Sequence, residues 1–488
     1  MIGSGPPGST AAVFLSKAGA DVLLLEAGSE RSALGLTVRV HGFTVLKNRR
    51  PFRQRDGFSA TADPKAELFE ALAPGGLTNH WSCAVPRLSP EDFTDAERAG
   101  EAYAWPINYG DISPWYDQVE PLLHIAGGSV GSLHLPAGRV RRARRLGADW
   151  TPLEDSARLS GRNWTPMPYA YGAETTATLS GTVFNSFVRL VRPEQRAGRL
   201  ATRFDACVER LEWSSQARRV TAVIIRDVHT GAEERIPCRA VVVAAGAIAS
   251  AEILLASTNT DFPDGLGNTH GVLGRYLHDH PLGKLVVDLD TAVSIHPPSY
   301  LTRQALDRAP PLYAAACMQW SGVEILGQSL FKRRPGRLPW LGFSVFGTMA
   351  PTKDNWVAID RKSPTDNGGR NSLNLHISYP PEASAALEKA RDDLIDILTR
   401  AGLKPRVRIW NIEPPGAARH YGGTCRMHAS ATYGMLDRWN RLHAVPNVAV
   451  VDSAAFTTGP EKNPVLTAMA LAARAANRIT EDMKAGTL

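Results

Sequence analysis

Apolar and polar positions follow a helical or a strand period in separate parts of the chain, and these parts predict its elements. Near the N-terminus a helical stretch, Ser9–Ala18, precedes an apolar run, Val22–Leu25, that predicts a strand. The order strand, glycine turn, helix occurs again at Val241–Ser257. Since strands that alternate with helices build parallel sheets, we expect both units to share one parallel sheet.

Between about residues 285 and 405 the pattern changes. Pro380–Leu403 has the spacing of an amphipathic helix, and short alternating segments predict an antiparallel sheet. These segments are Lys284–Leu289, Trp340–Phe346, Trp356–Ile359 and Ser372–Ser378. A separate antiparallel hairpin is predicted where Val220–Arg226 and Arg235–Ala244 flank the turn at His229–Gly231. The chain therefore combines a parallel α/β unit with a second architecture built from antiparallel strands and a helix.

Composition is that of an ordinary globular protein. The 488 residues are 43% hydrophobic and 21% charged, which excludes a disordered or collagen-like chain. This length suggests about two or three domains. Five scattered cysteines without a CxxC motif predict reduced thiols in a cytoplasmic protein. No run of 18 apolar residues occurs, so no membrane span is expected.

The formal charge of +7 is spread over the whole chain. The densest basic run, Arg139–Arg145, has no interleaved aromatic residues and no accompanying nucleic-acid motif. It favours a solvated loop or an anionic ligand over a nucleic-acid or membrane surface. Neither nucleic acid nor a membrane is therefore expected as a partner.

The N-terminal segment carries a dinucleotide fingerprint. Gly3, Gly5 and Gly8 form G-x-G-x-x-G before the first helix, and Glu26 ends the following strand. The three glycines serve a tight turn, close approach to a pyrophosphate, and helix–strand packing, while the acid accepts hydrogen bonds from ribose hydroxyls. Only two residues precede Gly3, so the strand expected there is nearly absent.

Two further segments carry candidate chemistry. Phe69–Pro86 is rich in small residues, and Gly75 and Gly76 leave room for a large flat ligand beside His80. From the residues alone, His80 is a ligand, a covalent attachment point or a plain polar contact. Near the C-terminus, His420 and Asn463 lie at element boundaries next to the predicted strand Val448–Val451, where side chains commonly face a cleft.

With these pieces in place, the sequence resembles the glucose–methanol–choline (GMC) oxidoreductases, FAD enzymes that oxidise alcohols. The matching motifs are GSGPPG…LLLEAG, VVVAAGAIASAEILLAS, GRYLHDHP and HYGGTCRM…VVDSAAF…NPVLTAMALAARAA. GGLTNHWSCAVPR and the His420 block are most similar to pyranose oxidases and to bacterial enzymes that oxidise glycosides and C-glycosides at C3.

The resemblance implies an α/β (α+β) fold with a discontinuous FAD-binding, Rossmann-like domain at 1–95, 196–285 and 410–488. The substrate-binding domain would comprise 96–195 and 286–409, built on an antiparallel sheet with helices. In this family a hydride passes from the alcohol carbon to flavin N5. By position, His420 would be the catalytic base and Asn463 its partner.

The resemblance also implies contacts with FAD, which His80 would bind covalently or noncovalently. Ser82 would approach flavin N5 and O4, Val208 would contact adenine through its backbone, and Asp452 would lie by the ribitol or pyrophosphate. The expected cofactor residues are Gly3, Gly5, Gly8, Glu26, Gly75, Gly76, Asn79, His80, Trp81, Ser82, Val208, Ala245, Gly246, Asp452, Asn463 and Pro464. No metal site is expected, because His278, Asp279 and His280 favour a structural role.

Several functions stay open at this level. The first is oxidation of a secondary hydroxyl, at C3 or C2 of a pyranose or glycoside, with oxygen or a quinone-type acceptor. The others are oxidation of a non-sugar alcohol, a lyase that keeps FAD for structure, and an inactive flavin-binding protein. The segment expected to carry the substrate loop, Leu326–Thr352, aligns with no known pattern. The short chain favours a monomer or a small homo-oligomer.

Overall fold

The computed structural model describes residues 1–30, 36–40, 43–48, 53–132, 134–172, 174–178, 182–294, 298–304, 313–320, 337–363, 365 and 370–488. Its α-helices are Pro6–Lys17 (α1), Pro90–Thr94 (α2), Tyr109–Leu123 (α3), Thr151–Leu159 (α4), Arg192–Arg196 (α5), Ala247–Ala256 (α6), Pro381–Arg400 (α7) and Val465–Lys484 (α8). Shorter helical turns are Gly76–Asn79, Asp95–Ala99, Glu101–Tyr103, Ala148–Trp150, Phe187–Val191 and Ser453–Ala455.

The parallel sheet forms around the first residues of the chain. Ile2 pairs in parallel with Leu25 on one side and Val243 on the other. Its N–H donates to the Val242 carbonyl at 2.9 Å, and the Gly3 N–H donates to the Leu25 carbonyl at 2.8 Å. Two residues therefore occupy the central strand position that the sequence left nearly empty. The neighbouring strands are Leu23–Leu25, Ala201–Arg203, Val241–Val243 and Val448–Val450.

Helices α1 and α8 pack against this sheet through small residues. Ala11 and Ala12 of α1 join Ala472, Ala475 and Ala476 of α8 in one buried cluster. Alanine side chains let two helices approach closely without a cavity between them. The doubly covered parallel sheet confirms the predicted α/β fold with a Rossmann-like unit.

A six-stranded antiparallel sheet forms the second part of the structure. Its strands, in order, are Arg406–Ile412, Leu282–Ser294, Arg337–Gly347, Ala315–Gln319, Ser299–Leu301 and Trp164–Pro166. Alternate residues point to opposite faces, and Leu285, Val287, Phe343 and Val345 form a buried cluster with Leu387 and Leu394 of α7. Strand Leu282–Ser294 crosses residue 285, where the sequence analysis placed a boundary between the two domains. The division into domains stays a prediction.

One sheet assignment and one strand boundary from the sequence are wrong. Trp356–Ile359 and Leu373–His376 are strands and pair antiparallel with each other, but they do not join the six-stranded sheet; Leu373–His376 pairs on its other side with Phe58–Ala60. The predicted hairpin and the predicted strand at Val241 are confirmed, but the hairpin strand is Glu233–Pro237 and does not extend to Ala244, since Val241–Val243 belongs to the parallel sheet. Local alternation is the same in either sheet, so the partner strand decides the assignment.

The remaining strands are short. The hairpin sheet contains Ala206–Ser214, Arg219–Asp227 and Glu233–Pro237, and the others are Leu36–Val40, Phe43–Asn48, Thr176–Thr178, Arg53–Gln54, Phe69–Glu70, Ala126–Gly127 and Arg142–Ala143. In the basic run, Arg139 pairs with Asp117 at 3.2 Å and Arg141 with Glu174 at 3.2 Å, both on the surface. None of the helices described is long and apolar enough to cross a membrane.

Replacing a core leucine of α7 tests the packing of the second sheet. Leu394 is 0% exposed, so Leu394→Ala should lower the free energy of unfolding by about 2–5 kcal/mol. Leu159→Ala is the matched control, since Leu159 is 80% exposed and its truncation should change stability by less than about 0.5 kcal/mol. Urea denaturation followed by circular dichroism measures both. Equal destabilisation by the two changes would contradict the packing described.

Candidate active site

A cavity of about 1160 Å³ opens between the glycine-rich loop after Ile2 and the inner face of the six-stranded sheet. Its volume exceeds the range of about 300–1,000 Å³ usual for a site that holds one ligand. Residues of both sheet systems line it, so it has room for a large cofactor and a substrate together.

The fingerprint glycines differ in what surrounds them. A Cβ on Gly3 would lie 2.5 Å from the Ala244 carbonyl oxygen, and one on Gly8 would lie 2.1 Å from the Gly3 carbonyl oxygen. No protein atom lies within 4 Å of the Cβ position of Gly5, which caps α1 and lines the cavity. The protein thus packs tightly against Gly3 and Gly8 and leaves space at Gly5 for a ligand.

Glu26 lies at the end of its strand and faces the same loop. Its carboxylate accepts hydrogen bonds from the Ser4 hydroxyl, the Ser4 N–H at 3.1 Å and the Gly28 N–H at 2.8 Å. Burial raises the pKa of this carboxyl group. It lines the cavity where the fingerprint predicts a ribose contact.

Asp452 joins the two strand–helix units beneath the cavity. One carboxylate oxygen accepts from the Gly246 N–H at 2.9 Å and from the Ser250 hydroxyl at 2.6 Å. The other accepts from the Ala454 N–H at 2.8 Å, and burial raises the pKa of the group. Ala245, Gly246 and Asp452 line the cavity near the start of α6. Val208 and Pro464 line it elsewhere.

Some residues of the Gly75–Ser82 loop line the cavity, and others support the loop. Gly76, His80, Trp81 and Ser82 line the cavity. Gly75 and Asn79 are among the predicted cofactor residues but, like Gly8 of α1, do not line the cavity. The Asn79 amide donates to the Gly76 carbonyl at 2.8 Å and accepts from Asn185 at 2.9 Å, so it braces the turn. Covalent attachment through His80 stays a prediction.

Residues 278–280 hold the segment that contains His420. His278 and Gly422 exchange backbone hydrogen bonds, and a Cβ on Gly422 would lie 2.4 Å from the His278 ring. The Asp279 carboxylate accepts from the His420 N–H at 2.6 Å and the Ala418 N–H at 3.2 Å. Burial raises the pKa of Asp279 to about 7 and lowers that of His278 to about 4. These contacts explain the Gly-Gly pair after His420.

His420 and Asn463 meet on the cavity wall. The Asn463 amide nitrogen lies 3.3 Å from His420 Nε2, and His280 Nδ1 lies 3.0 Å from His420 Nδ1. The Phe346 ring packs against the His420 ring with 5.4 Å between centroids. Burial lowers the pKa of His420 to about 3, so the imidazole is neutral near pH 7 and can accept a proton.

A buried ionic cluster, which the sequence reasoning missed, precedes Asn463. Lys462 contacts Asp92 at 2.5 Å and Glu461 at 3.0 Å, while Arg303 lies 3.4 Å from Glu461. All four side chains are almost fully buried, and buried charges persist only when paired. The cluster anchors the Asn463 segment to α2 and to the chain after strand Ser299–Leu301. In the sequence, the adjacent charged residues Glu461 and Lys462, directly before Asn463, were the signal that could have indicated this cluster.

The inner face of the six-stranded sheet forms the opposite wall. Leu282 pairs with Phe346, and Lys284 pairs with Ser344, so all four point to the cavity. The wall is apolar beside His420 and polar one pair further along, where Lys284 also contacts Glu413 at 3.0 Å. Of the predicted substrate segment Leu326–Thr352, residues 326–336 lie outside the described residues; Ser344 and Phe346 belong to the remainder.

Known proteins match this chain in sequence and in fold. The GMC oxidoreductase family matches the chain over residues 96–282 and 351–472, and an NAD(P)-binding Rossmann-like domain matches residues 1–52. The chain belongs to the GMC oxidoreductases. It is therefore an oxidoreductase of a family that acts on alcohol or sugar CH–OH donors.

Individual relatives of this GMC oxidoreductase are distant. 2-Methyl-1,2-propanediol dehydrogenase of Mycolicibacterium austroafricanum is 26% identical, with 83% of this chain and 80% of that protein aligned. 6'''-Hydroxyparomomycin C oxidase of Streptomyces lividus is 26% identical over 99% and 91%. C-glycoside 3-oxidase of Microbacterium trichothecenolyticum is 25% identical over 84% and 76%. Pyridoxine 4-oxidase from Mesorbium loti superposes with a TM-score of 0.67 at 17% identity, covering 98% of both chains.

Membership of the GMC oxidoreductases implies FAD as cofactor, and the residues present fit it. The open space at Gly5 suits a pyrophosphate at the start of α1. Glu26 would bind a ribose hydroxyl, and the glycine turn at Gly76 leaves room for a flat ring system.

Two glycine substitutions separate cofactor binding from folding. Gly5→Ala adds a methyl group only to the cavity, so we expect unchanged urea stability of the FAD-free protein and at least about tenfold weaker FAD binding. Gly8→Ala must displace the Gly3 carbonyl and should lower stability in the absence of FAD. Titration of FAD-free protein with FAD, followed by flavin fluorescence, measures the affinity. Unchanged affinity in Gly5→Ala would argue against this site for the pyrophosphate.

Proposed function

We propose that the protein is an FAD-dependent oxidoreductase that converts a secondary hydroxyl, at C3 or C2 of a pyranose sugar or glycoside, to a ketone. Oxygen or a quinone-type acceptor would then reoxidise the cofactor. The observation that supports this best is the His420–Asn463 pair, whose nitrogens lie 3.3 Å apart on the wall of the large cavity. This pair can bind one hydroxyl oxygen and take its proton.

His420 and Asn463 have complementary tasks. His420 Nε2 accepts the hydroxyl proton, because the lowered pKa keeps the imidazole neutral above about pH 3. The Asn463 amide donates a hydrogen bond to the same oxygen and adds no charge. FAD, when bound, supplies the two-electron acceptor for the hydrogen on the carbinol carbon.

The sheet wall supports a polyhydroxylated substrate. Leu282 and Phe346 exclude water from the reacting end, whereas Ser344, Lys284 and Glu413 offer hydrogen-bonding groups one residue pair away. That pair is about 7 Å further along the strands, a distance comparable to a sugar ring. The likeness to a C-glycoside 3-oxidase agrees with a glycoside substrate.

A non-sugar alcohol is the second candidate. The likeness to a 2-methyl-1,2-propanediol dehydrogenase favours it, since that name describes a small diol. A small diol would leave Ser344, Lys284 and Glu413 without a hydrogen bond from the substrate. We therefore rank the glycoside first.

An anaerobic titration of the FAD-loaded protein tests the proposal. Glucose, an O-glycoside, a C-glycoside and 2-methyl-1,2-propanediol are added separately, and the visible absorbance band of the oxidised flavin is followed. We expect bleaching by a sugar or glycoside, with the ketone position identified by mass spectrometry after borodeuteride reduction. Bleaching by the diol alone would favour the second candidate. A yellow protein that none of them bleaches would contradict both.

Loss of the base should slow flavin reduction without loss of the cofactor. His420→Ala should lower the rate of anaerobic reduction by about 10²–10⁴-fold, because it removes the imidazole that is proposed to accept the hydroxyl proton beside Asn463. His270→Ala is the control, since His270 is exposed and away from the cavity. Stopped-flow absorbance measures both rates, and a His420→Ala rate within twofold of wild type would rule out His420 as the base.

A further inference from the structure

The ring of His280 is a buried group that the proposed mechanism does not yet use. It is 2% exposed and lies at 73° to the His420 ring, with 4.7 Å between the centroids. Its Nδ1 is 3.0 Å from His420 Nδ1, a distance that requires one proton between the two nitrogens. Either ring could carry that proton, and its position decides which nitrogen of His420 is unprotonated.

The contact at the other nitrogen of His420 decides this choice. The Asn463 amide nitrogen lies 3.3 Å from His420 Nε2, and an amide NH₂ group can only donate a hydrogen bond. His420 Nε2 is therefore an acceptor without a proton. A neutral imidazole has one N–H, so Nδ1 of His420 carries the proton and Nδ1 of His280 accepts it. Burial lowers the pKa of both rings, which keeps both neutral.

The proton between the rings then belongs to His420. Its Nδ1–H donates to His280 Nδ1, and its Nε2 keeps a lone pair directed at the Asn463 amide and the cavity. We propose that His280 is a positioning residue that fixes His420 in the Nδ1–H tautomer and so leaves Nε2 free to accept the substrate proton. The inference rests on the proposed function, in which His420 is the base.

Both ring nitrogens of His420 have a partner. His280 contacts Nδ1, and Asn463 contacts Nε2. His280 itself is held by the Phe346 ring, at 5.8 Å between centroids, and by the Tyr379 hydroxyl, which donates to the His280 carbonyl at 3.0 Å. The His280 ring therefore has little freedom to turn and exchange its nitrogens.

Nitrogen NMR on the FAD-loaded protein with ¹⁵N-labelled histidine reads the tautomer directly. Comparison with the His420→Asn spectrum assigns the His420 signals. In the wild type we expect a protonated Nδ1 and a bare Nε2, which resonates far downfield. A protonated Nε2 in the wild type would overturn the proposal, whatever the substrate is.

Two variants test the role of the acceptor. His280→Phe keeps an aromatic ring against Phe346 but removes the acceptor, so the proton of His420 should move toward Nε2. His280→Asn offers a carbonyl oxygen near the former Nδ1 and should retain the wild-type tautomer. An unchanged His420 spectrum in His280→Phe would contradict the proposal. If His280→Phe does not fold, the wild-type and His280→Asn spectra still decide.

Kinetics separate this inference from the proposed function. With a donor that bleaches the wild type, His280→Phe should reduce its flavin at least about 10²-fold more slowly, and His280→Asn should recover most of that loss. Equal rates in His280→Phe and wild type would overturn the positioning role. If no donor bleaches the flavin but NMR finds the Nδ1–H tautomer in the wild type and not in His280→Phe, the proposed function fails and the tautomer assignment stands.

Discussion

The carboxylate of Asp279 is the constraint on which the site depends. It accepts the backbone N–H groups of Ala418 and His420 inside the protein, where an unpaired N–H would be costly. Residue 282, which begins the long strand of the antiparallel sheet, follows directly, while the His420 segment leads to strand Val448–Val450 of the parallel sheet. One buried side chain thus joins the two walls of the cavity and sets the backbone from which the His420 ring projects.

Features that depend on a few neighbouring residues could be predicted from the sequence. The roles of Gly3, Gly5 and Gly8 follow from steric rules within one turn, and the structure places each as those rules require. The amphipathic spacing of α7 likewise gives its buried face, because Leu387 and Leu394 fall on one side of any helix.

Features that depend on long-range pairing could not be predicted. The assignment of Trp356–Ile359 failed because alternation does not name the partner strand. The hydrogen bond by which Asn79 supports its loop comes from Asn185, more than a hundred residues away in the sequence. His280 and the Lys462 cluster were missed as contributors to the site for the same reason: their partners are remote in sequence and become visible only in three dimensions.

The six-stranded sheet has one face toward the cavity and one toward α7, and this affects how the sequence can evolve. Along strands Leu282–Ser294 and Arg337–Gly347, residues that face the cavity alternate with residues that pack against α7. Because neighbouring positions serve different surroundings, a substitution at Lys284 or Ser344 leaves the core unchanged. The lining of the cavity can therefore change by single replacements while the fold stays intact, which suits a family that acts on both alcohol and sugar donors.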